Sequence, residues 1–244
     1  MTEAFGSVAK LWRYPVSSLA GELLDSIAIQ HNGVDGDRRF GLVDANTDEI
    51  AAPDGSERWA NVPRIRSRLN GGLEIAVPGG DFLPAPDARS DSAVSSYLGF
   101  GAAIRPYDRD IAPDYTGSLT GSRYREAPIH LLTTASLARL KALHPSGDPD
   151  ARRFRPNILV DMPEIDGSFP ETEWIGRRMA VGEVELTISE PCRRCGFTIM
   201  EQDGVASDPE ILRQLVRNNR RNIGVYCTVD RPGIVRTGDA MRLI

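Results

Sequence analysis

The chain has 244 residues, of which 41% are hydrophobic and 26% are charged, and its formal net charge is −5 at pH 7. This composition is typical of a globular protein with one or two domains and a sizeable core, and it excludes a disordered chain. The acidic balance also excludes a general nucleic-acid-binding protein, which needs an excess of basic residues.

The first half of the chain is rich in short β-type runs, each bounded by glycine, proline, asparagine or aspartate. We predict strands over 8–14, 24–30, 40–43, 73–77 and 104–107. The apolar spacing over 90–98 predicts a helix. The segment 108–122 is rich in proline, aspartate and glycine, so we place a domain boundary there and predict domains at 1–122 and 123–244.

The second half mixes helices with further strands. Helical periodicity predicts helices over 134–144 and 208–220. Strands are expected over 157–160, 184–188, 223–229 and 233–244, the last interrupted by a turn at 237–239. The sequence therefore predicts a mainly β, α+β fold with a few short helices.

Targeting signals are missing from the sequence. Residues 1–5 lack the basic and apolar regions of a secretion signal, and no apolar run reaches the roughly 18 residues of a membrane span. Three cysteines do not make a disulfide framework, which agrees with a reducing compartment. We therefore expect a cytoplasmic protein without membrane contact.

Two of the three cysteines, Cys192 and Cys195, are separated by two arginines just after the predicted strand 184–188. A thiolate is a nucleophile and a ligand for thiophilic metals, and we expect the arginines to lower the pKa of the pair. One such pair supplies half of a four-thiolate zinc site, and Cys227 lies 32 residues further on without a partner beside it. The pair alone is a weak signal.

Other common catalytic patterns are missing from the sequence. His31, His130 and His144 lack metal-ligand spacing, and we interpret each as structural. No glycine-rich nucleotide loop and no Gly-x-Ser-x-Gly elbow occurs, so intrinsic NAD use, phosphoryl transfer and serine hydrolysis have no support.

Seven short motifs, taken in order, resemble one family across nearly the whole chain. The first two are similar to the N-terminal β-barrel module that precedes MOSC domains, and the other five to the MOSC domain, which is named after the C-terminal part of molybdenum cofactor sulfurase. They are YPVSS at 14–18, GVDGDR at 33–38, RFRPNI at 153–158, the acidic FPETEW at 169–174, PCRRC at 191–195, GVY at 224–226 and PGIVRTGD at 232–239.

The resemblance, which includes the amidoxime-reducing component family, implies a MOSC β-barrel with an N-terminal β-barrel module and a bound molybdenum-pterin cofactor. In that family the second cysteine of the pair ligates molybdenum, so Cys195 is the implied metal ligand and catalytic residue. Cys192 matches the first cysteine, which is not the ligand, and we interpret it as a buried support of the loop.

The implied cofactor contacts are Arg155, Asn157, Arg38, Ser17 and Ser18. A pterin phosphate needs charge-assisted hydrogen bonds, which guanidinium groups supply in a fork geometry, and an asparagine offers both a donor and an acceptor to a pterin edge. Each arginine has a structural alternative, which for Arg38 is an ion pair with Asp37. Ser17 stands where the family often has lysine, and it adds a hydroxyl without a charge.

The resemblance implies a molybdenum-dependent oxidoreductase that reduces N-hydroxylated or related N-oxygenated small molecules. The cofactor carries the redox chemistry, while the protein supplies orientation and electrostatics. The chain has no four-cysteine cluster, so a separate electron-transfer protein of iron-sulfur, flavin or haem type is expected. Two alternatives share the same motifs: a cofactor or persulfide carrier without substrate turnover, and a barrel that has lost its metal.

Overall fold

The structure is a computed structural model that describes residues 5–122, 128–165 and 167–244. The α-helices in this part of the chain are α1 (Ala88–Leu98), α2 (Thr134–Leu143) and α3 (Pro209–Asn219). The strands are β1 (Gly6–Arg13), β2 (Glu22–Leu24), β3 (Ser26–Gln30), β4 (Gly33–Val34), β5 (Phe40–Asp44), β6 (Arg66–Leu69), β7 (Leu73–Ala76), β8 (Leu83–Ala85), β9 (Ala102–Pro106), β10 (Ile129–Thr133), β11 (Ile158–Asp161), β12 (Arg178–Val181), β13 (Val184–Arg193), β14 (Asn222–Arg231), β15 (Gly233–Arg236) and β16 (Ala240–Leu243).

Seven strands close into a barrel in the order β11, β10, β14, β13, β12, β16 and β1, and β1 pairs back onto β11. Closure leaves no free sheet edge in the ring, which removes a site of unwanted strand pairing. The closing pair is antiparallel, with Leu11 opposite Ile158. Because β1 begins at Gly6, the barrel uses the N-terminal end of the chain as well as the C-terminal half.

Aliphatic side chains that point inward from the barrel strands form one core. Leu11, Leu131, Ile158 and Leu186 are fully buried in it, and β3 adds Ile27 and Ile29 from a small sheet with β4 and β15. β3 alternates exposed and buried residues, as expected for a strand with one face on a core. Each such side chain contributes roughly 1.5 to 3 kcal/mol by burial.

A second core lies between β5 and α1. The pair β5–β9 and the sheet β6–β7–β8 pack with α1 around buried residues that include Leu42, Trp59 and Val94. Asp87 and Ser90 form a capping box at the start of α1, and Gly99 ends the helix in the left-handed conformation. This unit stands beside the barrel and supplies one wall of the site described below.

Helices α2 and α3 cover the outside of the barrel. Leu140 of α2 and Leu215 of α3 are buried together with Phe154, in a core separate from the barrel interior. α3 begins with Asp208, whose carboxylate accepts a hydrogen bond from the Glu210 amide, and with Pro209 in its first turn. The apolar face of α3 packs inward, so its other face is open to solvent.

The mainly β fold class with few helices is confirmed. The three predicted helices form within one or two residues of the predicted bounds, and the predicted turn at 237–239 separates β15 from β16. Five strands, β4, β6, β8, β10 and β12, were not predicted, and each has only two to five residues. The predicted boundary between 122 and 123 adjoins residues 123–127, which lie outside the described residues, and it stays a prediction.

No helix in the described part of the chain combines the length and apolarity needed to cross a membrane.

Candidate functional site

A cavity of about 540 Å³ lies between one end of the barrel and the N-terminal unit. Its wall holds one thiol, that of Cys195, and the two consecutive serines Ser17 and Ser18. A cavity of this size is typical for a small organic ligand. The two halves of the chain meet here because Ser17 and Ser18 follow β1 while Cys195 follows β13.

Arginines dominate the charge of the cavity wall. Among the described residues, five arginines and two aspartates, Asp37 and Asp108, line it. Guanidinium groups are always charged and match the oxygens of phosphate and carboxylate. The cavity therefore favours an anionic ligand. The five arginines are Arg38, Arg39, Arg155, Arg193 and Arg194.

Arg38 and Arg155 are held against one aromatic ring, that of Tyr14. Arg155 Cζ lies 4.2 Å from the ring centroid and Arg38 Cζ lies 5.1 Å from it. Both arginines have left-handed backbones, with φ of 53° for Arg155 and 49° for Arg38. Strained conformations of non-glycine residues persist where the surrounding structure determines them, and they cluster at functional sites.

Hydrogen bonds fix the same cluster. The Asp37 carboxylate accepts from the Tyr14 amide at 2.6 Å and pairs with Arg38, so the ion pair considered for Arg38 is present. Arg38 Nη2 donates to the Arg155 carbonyl at 3.2 Å, and Arg155 Nη1 donates to the Leu19 carbonyl. The Arg38 side chain is still 31% exposed, so the ion pair leaves part of the guanidinium open to the cavity.

Arg39 and Arg193 line the cavity without such constraints. Among the described residues, neither side chain makes a hydrogen bond or an ion pair. Their donors are therefore available to a ligand. Neither was singled out from the sequence, although Arg193 lies inside the cysteine motif and Arg39 directly follows Arg38.

Cys195 lies at the start of the short 3-10 helix Gly196–Ile199 and is partly buried. Burial raises the pKa of its thiol, and a hydrogen bond with Asp54 raises it further, whereas the Phe197 amide lowers it. Arg194 does lower the pKa of this thiol, as expected for a neighbouring arginine, but burial outweighs it, so the net pKa of Cys195 is raised. Burial is the largest influence on its pKa.

At Cys192 the effect of the neighbouring arginine prevails over burial. This thiol is fully buried, and Arg194 Nη1 lies 2.6 Å from its sulfur while Arg194 Nη2 donates to the Phe154 carbonyl at 2.8 Å. Burial alone would raise the pKa of Cys192, but Arg194 and His130 outweigh burial and lower the pKa to about 6. Cys192 thus anchors Arg194 in the cavity wall, which agrees with its interpretation as a support.

His130 and Tyr226 complete this corner, and sequence reasoning did not assign either to the site. They are opposite each other in the β10–β14 pair, their ring centroids are 5.6 Å apart, and both lower the pKa of the Cys192 thiol. A Cβ atom at Gly224, whose φ is 73°, would lie 2.4 Å from His130 Nε2. The GVY motif therefore requires its glycine to leave room for His130.

The remaining predicted residues fall in two places. Ser17 and Ser18 line the cavity, and the Tyr107 hydroxyl donates to Ser17 Oγ at 2.8 Å. Asn157 is fully buried outside the wall, where its Oδ1 accepts from the His130 amide at 3.1 Å and its Nδ2 donates to the Trp12 carbonyl at 3.4 Å. Asn157 thus joins β1 to β10, and the cofactor contact expected for it stays a prediction.

The described residues contain no group of three or more His, Cys, Asp or Glu side chains arranged to hold a metal ion. A metal in this cavity would therefore take one thiolate from the protein and further ligands from an organic group. The donor set fits a metal that arrives as part of an anionic organic cofactor.

Known proteins with similar sequences and structures fit this picture. Residues 101–242 match the family model of the MOSC domain. The crystal structure of the YuaD protein from Bacillus subtilis superposes with a TM-score of 0.52 at 14% identity, covering 100% of this chain and 98% of that one, which shows the fold.

Curated relatives are similar over shorter segments. The chain is 30% identical to human mitochondrial amidoxime-reducing component 1 over 131 residues, which are 48% of this chain and 37% of the relative. It is 28% identical to molybdenum cofactor sulfurase of Drosophila pseudoobscura pseudoobscura over 98 residues, 39% of this chain and 12% of that protein. The alignments thus cover about a third or less of these relatives' lengths. The family model spans more than half of this chain, which therefore belongs to the MOSC domain family.

Proposed function

We propose that this protein binds a molybdenum-pterin cofactor in the arginine-lined cavity and uses it to reduce N-oxygenated small molecules. The observation that carries the proposal is the pairing of one partly exposed thiol, Cys195, with five guanidinium groups around about 540 Å³. The family supports a link to the molybdenum cofactor, because one relative is named for that cofactor and another for reducing amidoximes.

Cys195 would hold the metal. Thiolates are soft ligands that suit thiophilic metals, and the Cys195 sulfur borders the cavity, whereas Cys192 and Cys227 are fully buried. The thiol must lose its proton on binding, so loading with metal releases a proton. The pterin would supply the other sulfur ligands.

The arginines would bind the pterin phosphate. Arg38 and Arg155 are already positioned by Tyr14, and Arg39 and Arg193 offer donors that no described residue uses. Charge-assisted hydrogen bonds to phosphate are about twice as strong as neutral ones. Ser17 contributes a hydroxyl, which Tyr107 orients by donating to its oxygen.

The overall reaction converts an N-hydroxyl compound to the parent amine or amidine, with two electrons and two protons consumed and one water released. When bound, the cofactor supplies the two-electron redox chemistry. Phe154, Phe197 and Tyr226 supply the aromatic wall that excludes water from the reacting group. Burial and the nearby Cys192 raise the pKa of Tyr226, so its hydroxyl stays protonated at neutral pH.

The matches to molybdenum cofactor sulfurases favour a second candidate, a carrier that hands sulfur or cofactor to another protein. In this function Cys195 would carry a persulfide. Cys192 is poorly suited to that role because its sulfur is fully buried against Arg194.

Turnover separates the two candidates. Protein from a host that makes the cofactor would be assayed with benzamidoxime and reduced methyl viologen, with benzamidine as the product measured. We expect turnover by the wild type and by Cys227→Ala, which alters a buried barrel cysteine, and none by Cys195→Ala. Metal-loaded wild type that is inert toward a panel of N-oxygenated compounds, but transfers ³⁵S to an acceptor protein, would contradict the reductase proposal in favour of the carrier.

A further inference from the structure

One face of α3 carries a row of exposed basic side chains around one exposed apolar side chain. Arg213, Val216 and Arg217 are spaced at i, i+3 and i+4, so they lie along one side of the helix, and Arg220 is the cap at its C-terminal end. We call these four residues the α3 stripe. All four are exposed, Val216 at 54%.

Contacts within the helix account for only part of this charge. The Glu210 carboxylate pairs with Arg213 at 3.4 Å and with Arg217 at 3.0 Å, so one negative charge faces two positive ones. Arg220 has no ion pair among the described residues. The α3 stripe is therefore a basic surface on a protein whose formal net charge is −5.

The stripe ends at the cavity wall. Arg221 directly follows the C-terminal cap of α3, and its carbonyl accepts a hydrogen bond from the Arg194 amide at 2.9 Å. One residue further on, Asn222 pairs with Arg193 in the β13–β14 ladder. Arg193 is exposed and lines the cavity, so it extends the basic surface from α3 to the cavity mouth.

We propose that the α3 stripe is the docking surface for an acidic one-electron-transfer protein that reduces the site in the cavity. Arginines around an apolar side chain are typical of protein interfaces. The partner is expected to be acidic, because a basic patch attracts and orients a protein of opposite charge. The inference depends on the proposed function, because a reductase whose cofactor is oxidised at each turnover needs an electron source. Two encounters, each oxidising the partner by one electron, supply the two electrons consumed per N-hydroxyl group.

Two triple variants with equal changes in charge test this surface. The stripe variant is Arg213→Gln, Arg217→Gln and Arg220→Gln. The control is Arg231→Gln, Arg236→Gln and Arg242→Gln, which lie outside α3. The sets are matched, because Arg231 pairs with Glu185 and Arg236 with Glu183, as Arg213 and Arg217 do with Glu210. All six arginines are exposed, and melting curves would check that both variants fold.

The probe is an acidic plant-type [2Fe–2S] ferredoxin. We expect it to bind the wild type and the control variant alike, to bind the stripe variant about tenfold more weakly at low ionic strength, and to lose this difference as salt screens the charges. In benzamidoxime turnover, the stripe variant should be slow with reduced ferredoxin and normal with reduced methyl viologen.

Equal ferredoxin binding by the stripe and control variants, or no binding by the wild type, would overturn the docking proposal. So would stripe-dependent binding of a 20-nucleotide single-stranded RNA that is tighter than the binding of ferredoxin. Failure of the methyl viologen reaction in the wild type would overturn the proposed function instead, while the binding measurement, which needs no turnover, would still decide the role of the stripe.

Discussion

The guanidinium group of Arg155 lies over the ring of Tyr14, with 4.2 Å between Cζ and the ring centroid. The same ring also lies 5.1 Å from the guanidinium of Arg38, so one aromatic residue outside the cavity wall positions two of its cations. A cation over an aromatic face gains about 0.5 to 2 kcal/mol, depending on its exposure to water. Tyr14 is therefore a positioning residue for the proposed phosphate site.

Replacing Tyr14 tests this role. Tyr14→Phe keeps the ring, so we expect it to retain the cofactor, whereas Tyr14→Leu should weaken binding by roughly 3- to 30-fold because both arginines lose the ring. Cofactor content after gel filtration, measured by the fluorescence of the oxidised pterin, checks the result. Equal retention by both variants, with both folded, would show that the ring does not position the arginines.

Arg193 and Arg155 should respond differently to replacement by alanine. Arg193 is exposed, and its side chain makes no hydrogen bond or ion pair with the described residues, so Arg193→Ala should weaken cofactor binding without changing the melting temperature of the cofactor-free protein. Arg155 also bonds the Leu19 carbonyl, so Arg155→Ala should lower both. The expected loss of binding is about 1.5 to 3 kcal/mol for a charge-assisted hydrogen bond, or roughly 10- to 150-fold.

Lysine at position 155 should restore only part of the binding, since it keeps the charge but loses the fork of donors. The matched control is Arg231→Ala, an exposed arginine away from the cavity wall. A melting temperature that falls in Arg155→Ala while cofactor affinity stays unchanged would assign Arg155 to structure alone.

The two cysteines of the motif should differ in reactivity in an order opposite to their acidity. Arg194 and His130 lower the pKa of Cys192 to about 6, but its sulfur is fully buried, whereas Cys195 has the raised pKa and lies in the cavity wall. Because a buried thiolate cannot be approached, we expect iodoacetamide to label Cys195 first in the folded, cofactor-free protein. Peptide mass spectrometry over time checks this order, and Cys192 labelled at least as fast as Cys195 would contradict it.

Glu171 should make stability depend on pH. It is fully buried, and its carboxylate accepts from the Thr133 amide at 3.0 Å and from the Ser136 hydroxyl. Burial raises the pKa of Glu171 above its usual 4.5 despite these bonds. A raised carboxyl pKa stabilises the fold at pH below the unfolded value, and this contribution is lost as pH rises through the folded value.

Glu171→Gln should therefore gain stability relative to the wild type as pH increases above about 4.5, by about 1.4 kcal/mol for each unit by which the pKa is raised. Urea unfolding at several pH values measures the difference. Glu57→Gln, which changes an exposed carboxylate, is the control and should show no such trend. Parallel pH profiles for the wild type and Glu171→Gln would mean that Glu171 does not titrate differently on folding.

The predicted site residues that line the cavity lie in motifs with special local geometry. Arg38 and Arg155 have left-handed backbones within the GVDGDR and RFRPNI motifs, and Cys195 follows a long strand, so local sequence marks each position. Asn157 belongs to the same motif as Arg155 but lies two residues further on, at the start of β11, and its side chain faces the barrel backbone.

His130 and Tyr226 could not be placed from sequence, since their meeting depends on the register between β10 and β14, whose residues are almost 100 positions apart. The same limit applies to Cys192. Its low pKa depends on which way Arg194 points, and Arg193, the adjacent arginine, points to solvent instead. Pairing between distant strands and the direction of each side chain decide these contacts, and neither can be read from local residue patterns.

Molybdenum content tests the proposed function most directly. Wild-type protein, Cys195→Ser and Cys227→Ser would be purified from a host that makes the cofactor, and metal per chain would be measured by mass spectrometry. A serine hydroxyl is a far poorer ligand than a thiolate at neutral pH, and Cys227 is buried in the barrel core. We predict near-equal ratios of molybdenum to chain in the wild type and Cys227→Ser, and loss of most of the metal in Cys195→Ser. A wild type without molybdenum, or equal metal in all three proteins, would contradict Cys195 as the ligand.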